Sequence, residues 1–443
     1  MRSSLSERDE RAERLPPRIW NVAMLWGELP FVALVVVGEL LAFVQYFVGD
    51  LSPSVLKVVR LGGLYFYGFN HVLIKAEATR SGIQGSFFSF GGALLTVTAA
   101  AAYLLFRGGS EVGGRVAGSP AAKALAGGSV ALPYSVLSLM ISFAVPVSFH
   151  LPADLEGGEL RISVSHLQAF LWPFAIGAVA GLAGGMWSAR PELARSAWGR
   201  RVASALSGGW RMLLYGMGMS LVGLLVLGAA NPSAVRAYFD DTLGSGLAGT
   251  DLLVHHALAL PNQSMWVLVP AMGACDRIEG ALEQKGSEGF LCYSRFPRHG
   301  EFLSTLGREL GSGKDITSPV APVKFTTAPA AYLPFLVVPL IAALAAGATA
   351  GGAAGPETRG ESAVVGALSG VVFAALVAMS SVLAGFGVHL AGGGDLTVGP
   401  DPVGGGLLAL AWGVLGGAAG AALAFRQPPP RHRSMDRPPG HFG

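Results

Sequence analysis

Eight stretches of this chain carry too few charges over too many residues for water to be their solvent. The apolar runs 31–48, 88–106, 131–149, 167–187, 212–230, 331–350, 362–390 and 404–425 reach or approach the roughly 20 residues an α-helix needs to cross a bilayer's hydrocarbon core. In that layer the backbone N–H and C=O groups must be satisfied internally, so continuous apolar runs of this length read as helices. Only 13% of the residues are charged, against about 25% in a soluble domain. The expected fold class is therefore all-α: a polytopic integral membrane helical bundle of about eight transmembrane helices. An Arg-rich start (Arg2, Arg8, Arg11, Arg14, Arg18) runs into the first apolar segment without a small-residue cleavage pattern. That segment thus reads as an anchor and not as a cleaved leader.

Self-similarity orders these spans. Gly49, Pro53-Ser54 and Lys57 recur as Gly228, Pro232-Ser233 and Arg236, while His150-Leu151 and Trp172 recur as His389-Leu390 and Trp412 at a larger shift. Two pseudo-repeats follow, separated in register by a polar insertion at about 275–329. The expected organisation is an N-terminal tail (1–26), a first membrane repeat (27–187), a basic linker (188–211), a second membrane repeat (212–425) and a disordered tail (426–443). Each repeat also holds an apolar segment interrupted by polar residues, 61–75 and 252–274. Were these to span, the halves would have five helices and be inverted; otherwise they have four and run parallel.

The distribution of basic residues chooses between the two. With four spans per half, one side collects the N-terminal arginines, Arg107, Arg115, Lys123, Arg190, Arg195, Arg200, Arg201, Arg211, Arg359 and the arginines of the tail. The other side holds only Lys57, Arg60, Lys75, Arg80 and Arg161 in its short segments. Basic residues in short loops stay in the cytoplasm. The expectation is a bacterial cytoplasmic membrane protein with parallel halves, both termini inside, and segments 61–75 and 252–274 re-entrant, broken or interfacial. The abundance of Gly, Ala and Arg suits a high-GC bacterial genome.

Gly177, Gly181 and Gly185, with Gly413/Gly417 and Gly416/Gly420 in the last run, stand four residues apart. Small residues at this spacing let helix backbones approach closely, within one chain or between two copies; packing within the chain is the reading favoured here.

Chemistry-bearing residues are few. Glu39 stands in the middle of the first run, where a carboxylate needs a cavity or a partner. Its reading is an ion or proton site, or a carboxylate held by a base such as Arg60 or Lys57. His71, Lys75 and Glu77 in the first interrupted segment, and His255, His256, Asn262 and Gln263 in the second, complete a candidate cavity or ion site with Glu39 and Arg60, because paired broken segments mark the binding sites of transporters. Their bland reading is hydrogen-bonded residues near the interface. No metal-ligand spacing occurs, the adjacent His255 and His256 cannot share a helical face, and Gly311-Ser312-Gly313-Lys314 fails the phosphate-loop pattern. No catalytic motif or cofactor is implied, and a net charge of +3 gives no footprint for nucleic acid. Cys275 and Cys292, the only cysteines, fall in the expected external insertion and are disulfide candidates.

Two stretches, 160–185 (LRISVSHLQAFLWPFAIGAVAGLAGG) and 329–345 (PAAYLPFLVVPLIAALA), resemble streptophobe-type polytopic membrane proteins of high-GC Gram-positive bacteria, and more distantly PerM-like membrane proteins linked to cell division. The resemblance implies an envelope-associated role and carries no catalytic residues. Two functions stand open: a transport or permeation protein with a polar cavity between its halves, acting on a small molecule or ion; or a non-catalytic membrane scaffold of the cell envelope or division machinery, with residues 275–329 as the surface for a protein partner.

Overall fold

The computed structural model describes residues 17–48, 54–80, 83–92, 94–151, 158–230, 257–280, 287–292, 296–297, 325–326, 334–390 and 394–426. The first half runs α1 (Pro17–Val48), α2 (Val55–Phe69), a hairpin of β1 (Ile74–Arg80) and β2 (Ile83–Gly92), α3 (Leu95–Gly114), α4 (Pro120–Gly128), α5 (Ala131–Ser142), a hairpin of β3 (Val147–Leu151) and β4 (Gly158–Val164), and α6 (His166–Ser188). After the single turn α7 (Arg190–Leu193), the second half follows a similar order, with one helix where the first half has α4 and α5. It has α8 (Ala197–Ala230), α9 (Leu260–Ala271), β5 (Cys275–Gly280) with β6 (Ser287–Cys292), α10 (Val337–Ala353), α11 (Arg359–Ala384), β9 (Phe386–Leu390) with β10 (Gly394–Pro400), and α12 (Pro402–Ala424). A two-stranded pair, β7 (Phe296–Pro297) and β8 (Phe325–Thr326), lies between β6 and α10.

Among the described residues seven helical segments are long and apolar enough to cross a membrane: α1, α4 with α5, α6, α8, α10 with its leading turn, α11 and α12. The chain is a polytopic helical membrane protein. The eighth expected run, 88–106, divides between β2 and α3; α3 is 20 residues long but carries Arg107 and Glu111 and is not among the seven. Two other boundaries shift. Helix α8 begins at Ala197, so Arg200, Arg201 and Arg211 lie on a helix and not in an extended linker. The run 131–149 is the second part of a segment that starts at Pro120, with Ser119 accepting a hydrogen bond from Ala122 N as its N-cap. That segment breaks between α4 and α5 because Pro133 has no N–H and its ring would collide with the carbonyl of Ser129 in a continuous helix.

The apolar runs predict no strand, and here the fold adds to them. Four hairpins form one eight-stranded antiparallel sheet in the order β3-β4-β1-β2-β9-β10-β5-β6. Both halves send their hairpins to this one sheet, so their helices run in the same direction. The interrupted segments resolve into the short helices α2 and α9, each followed by a one-residue turn of left-handed backbone, His71 (φ 60°) and Gly273 (φ 96°), and then by a strand.

Each half has its own core. Phe66, Tyr67, Leu105, Val112, Val130 and Tyr134 centre the first, and Met212, Met265, Leu268, Phe373 and Val377 the second. Glycines bring the helices to backbone contact in both. A Cβ on Gly109 (α3) would stand 2.3 Å from the carbonyl oxygen of Gly181 (α6), and one on Gly127 (α4) 2.5 Å from the same atom. In the second half Gly347 (α10) and Gly366 (α11) meet the carbonyl oxygen of Gly417 (α12) in the same way, at 2.3 and 2.1 Å. The four-residue glycine spacing of α6 and α12 therefore packs helices within the chain.

Between the halves the contacts run through β2 with β9 and through α3 with α9. At the second of these joints Asn262 Oδ1 accepts a hydrogen bond from Leu95 N (2.8 Å), and Thr96 Oγ1 donates to the Leu258 carbonyl (2.7 Å). At the end of the bundle away from the sheet, Lys123 pairs with Glu192 (2.7 Å) and Arg201 with Glu361 (2.7 Å), the latter next to the Thr358 N-cap of α11.

Candidate functional site

A buried polar cluster lies inside the first half, where α2 ends against α3, α5 and α6. Asn70, the C-cap of α2, is 1% exposed. Its Nδ2 donates to the Phe66 carbonyl (2.8 Å) and its Oδ1 accepts from the Tyr134 hydroxyl (2.5 Å). Tyr67 donates to the Ser138 carbonyl (2.5 Å), Ser138 Oγ to the Ala169 carbonyl (2.6 Å), and Thr98 Oγ1 to the Phe69 carbonyl (2.7 Å). Ser142 Oγ and His166 Nδ1 share a hydrogen bond of 2.7 Å. Tyr134, Ser138 and Ser142 stand at i, i+4 and i+8 on α5, a polar stripe in an apolar helix whose spacing alone could have located the cluster. The donors and acceptors of Asn70, Tyr67, Ser138 and Thr98 close on one another or on backbone carbonyls. Such a network fixes how α2 docks into the bundle.

His71 extends the cluster. Its ring lies beside the Trp172 indole (5.9 Å between centroids), its Nε2 is buried with no hydrogen-bond partner, and burial holds its pKa down to about 4. The residue is therefore neutral at physiological pH. In the second half Gly273 occupies the corresponding turn, Trp412 Nε1 donates to the Met272 carbonyl (3.0 Å), and Leu408 Cδ1 is the side-chain atom that a Cβ on Gly273 would meet. Phe373 and Val377, where α11 matches Tyr134 and Ser138 of α5, are apolar and buried. The hydroxyl network thus belongs to one half.

The other candidates lie apart from this cluster and from one another. Glu39 lies flat across α2: a Cβ on Gly62 would stand 2.4 Å from its carboxyl carbon, and neighbouring Gly38 meets the Gly62 carbonyl. No salt bridge reaches Glu39 among the described residues. Arg60, on the same α2, has its Nε buried without a partner. Lys75 and Glu77 are exposed on β1, Glu77 directly opposite Arg161 of β4. Asn262 joins the halves as described, and Gln263, half-buried, follows it on α9. His255 and His256 lie outside the described residues, as do most of residues 281–333 and the two termini. A cavity of about 370 Å³ between α8 and α10 is lined by Leu214, Tyr215, Gly218, Met219, Ile341 and Ala345, an apolar wall with none of the candidates in it.

On the sheet, Cys275 of β5 is directly opposite Cys292 of β6, Cys275 is disulfide-bonded, and no cysteine is free. The next residue, Asp276, is 5% exposed with Oδ1 unpartnered, and burial drives its carboxyl well above the ordinary carboxylate range. No group of three or more His, Cys, Asp or Glu side chains stands at metal-binding distance among the described residues. Comparison of the chain with protein-family models, curated proteins and solved structures finds no match.

Proposed function

We propose that this chain is a structural scaffold of a bacterial cytoplasmic membrane, holding its sheet on the extracytoplasmic side and both termini in the cytoplasm. The observation that carries the reading is the sheet itself: eight strands drawn from both halves form one continuous platform over two bundles whose helices meet backbone to backbone. The disulfide at Cys275 supports an oxidising compartment on the sheet side. Lys123, Arg190, Arg195, Arg200, Arg201 and Arg359 gather at the opposite end of the helices, which supports a cytoplasmic location there. The resemblance to envelope-associated membrane proteins points the same way.

Transport is the second reading, and Glu39 favours it, since an ionisable group inside a span is a functional candidate by default. Against it, Glu39 packs within one half on Gly62, away from the joint at which two-half transporters place their sites.

One reconstitution separates the two. Thr397→Cys on β10 and Ala194→Cys between α7 and α8, both at exposed positions, are labelled with a membrane-impermeant maleimide in intact cells. The scaffold reading expects label at 397 without lysis and at 194 only after it. The purified protein in liposomes is then expected to leave pH and potassium gradients standing. A flux abolished by Glu39→Gln would establish transport and overturn the scaffold reading; label at 394–400 only after lysis would invert the orientation.

A further inference from the structure

The order of strands shows how the two halves are joined. Within the first half the strands run β3-β4-β1-β2, and within the second β9-β10-β5-β6. Matching elements by their place in the chain, β9 stands for β3, β10 for β4, β5 for β1 and β6 for β2. The order inside each half is thus the same, and the halves are joined head to tail: the trailing edge of one, β2, pairs with the leading edge of the next, β9. The correspondence extends to single residues. β3 reads VSFHL and β9 reads FGVHL, and in each the histidine faces an acid across its own hairpin, His150 opposite Glu159 and His389 opposite Asp395. The helical contact beside this joint has the same polarity, the start of α3 against the start of α9.

A head-to-tail joint differs from a two-fold one in that it uses two different surfaces and leaves one of each unused. Here the unused pair is the outer edge of β3 and the outer edge of β6, neither paired with a strand among the described residues. An unpaired edge offers its N–H and C=O groups to another strand. The helical surfaces next to the two edges are also open: Val55, Leu56 and Val59 on α2 are 81, 59 and 49% exposed, and Leu336 and Val337 at the start of α10 are 37 and 48% exposed. Counting back from the His71 and Gly273 turns, Leu56 holds the place of Leu258, whose carbonyl accepts the Thr96 hydrogen bond at the α3–α9 contact. Because both halves cross the membrane in the same direction, the movement that carries the first onto the second keeps the membrane normal. Applied once more, it sets a second copy in the same bilayer with the same side out.

We propose that the outer edge of β6 pairs antiparallel with the outer edge of β3 of a second copy of this chain, in the register of β2 with β9, so that copies assemble head to tail in the membrane plane. The proposal deepens the scaffold reading and rests on it for its biological sense. It can fail alone, if the sheet is external and the protein impermeable yet monomeric. The register is specific. Phe90 lies opposite Ile74 on one side and Val388 on the other, and Leu291 lies opposite Asp276 in the matching place. Leu291 therefore pairs with Phe149 of the second copy, and Phe290 with His150.

The test places a photo-crosslinking phenylalanine analogue at His150, an exposed position, in the full chain in native membranes. The same analogue at His389, which pairs with Ser89 inside the chain, serves as internal control. Expected are a ladder of dimers and higher species from position 150, mapped to residues 287–292 of another copy, and an intrachain product from position 389. His150→Asp with Phe290→Asp sets like charges opposite each other and should abolish the assembly in nanodiscs by mass, whereas His150→Lys with Phe290→Asp restores it. A crosslink from 150 to 287–292 of the same chain would mean that the sheet closes on itself, and overturns the proposal. So would position 150 giving no interchain product while position 389 reacts, or position 389 failing to reach β2.

Discussion

Gly181→Ala adds one carbon at the point where α6 passes between α3 and α4. The new Cβ would lie 2.5 Å from the Gly127 carbonyl oxygen and 2.8 Å from Val130 Cγ2. A carbon and a carbonyl oxygen rest comfortably only from about 3.3 Å, so the helices must part by roughly 0.8 Å. That movement also loosens the Gly109 contact on the same residue. Overfilling a packed site of this kind costs about 1–3 kcal/mol. For a cooperative unit the size of one half, each kcal/mol lowers the melting temperature by about 2–4 °C, giving a fall of about 2–12 °C. Gly218→Ala is the matched control: nothing lies within 4 Å of its Cβ, and alanine in a helix interior is favoured over glycine by about 0.5–1 kcal/mol. Thermal unfolding in nanodiscs, followed by tryptophan fluorescence, should therefore separate the two substitutions in sign. Gly417→Ala, whose Cβ would meet the Gly366 carbonyl oxygen at 2.4 Å, should behave as Gly181→Ala does. If Gly181→Ala melts at or above the temperature of Gly218→Ala, the backbone contacts do not hold the bundle, and the account of its interior is wrong.

Reducing the disulfide at Cys275 frees a loop of about 17 residues, a loss of about 3 kcal/mol by chain entropy; melting with and without a phosphine reductant should show it, and an unchanged curve would mean the bond constrains nothing. His71, held down to about 4, binds its proton more weakly when folded than when unfolded. Stability should therefore drop as pH falls from about 6.5 toward 4, and His71→Asn, which tolerates the left-handed turn, should flatten that slope in denaturant titrations. Asp276, raised by burial, has the opposite sign: the folded state keeps the proton longer, so stability falls as pH rises above the unfolded value near 3.8. Asp276→Asn should be the more stable protein at neutral pH, and a destabilised variant would reveal a partner for that carboxylate.

The spans were legible because a run such as 404–425 differs from soluble sequence in composition alone, and α12 (Pro402–Ala424) follows it closely. The sheet was not, and the cause is local. Strands β2, β3 and β9 each fall inside or directly abut an apolar run, so that 88–106, 131–149 and 362–390 read as helix to their ends although β2 ends at Gly92, β3 starts at Val147 and β9 at Phe386. Strands of five to ten residues carry too little alternation to stand out in such company. The one sign was the pair His150-Leu151 and His389-Leu390, which falls on β3 and β9. Placement of the candidate site was harder still. The pairing of the two interrupted segments groups His71 with His255 and His256, while the turn that matches His71 holds Gly273, a residue without a side chain to notice. Tyr134, Ser138 and Ser142 carry no charge and stand out only by their spacing, although the network around Asn70 depends on them.

With the halves joined through β2–β9 and the neighbouring α3–α9 contact, each bundle is a lever whose fulcrum lies at the sheet. A spanning helix of 23 residues such as α12 is about 34 Å long, so a flex of about 10° across the β2–β9 joint would move its far end by about 6 Å. Small bending of the sheet would thus be delivered, magnified, to the ends of the bundles where Lys123–Glu192 and Arg201–Glu361 sit. Tension applied along the sheet would be read as a change of separation at the opposite ends of the helices.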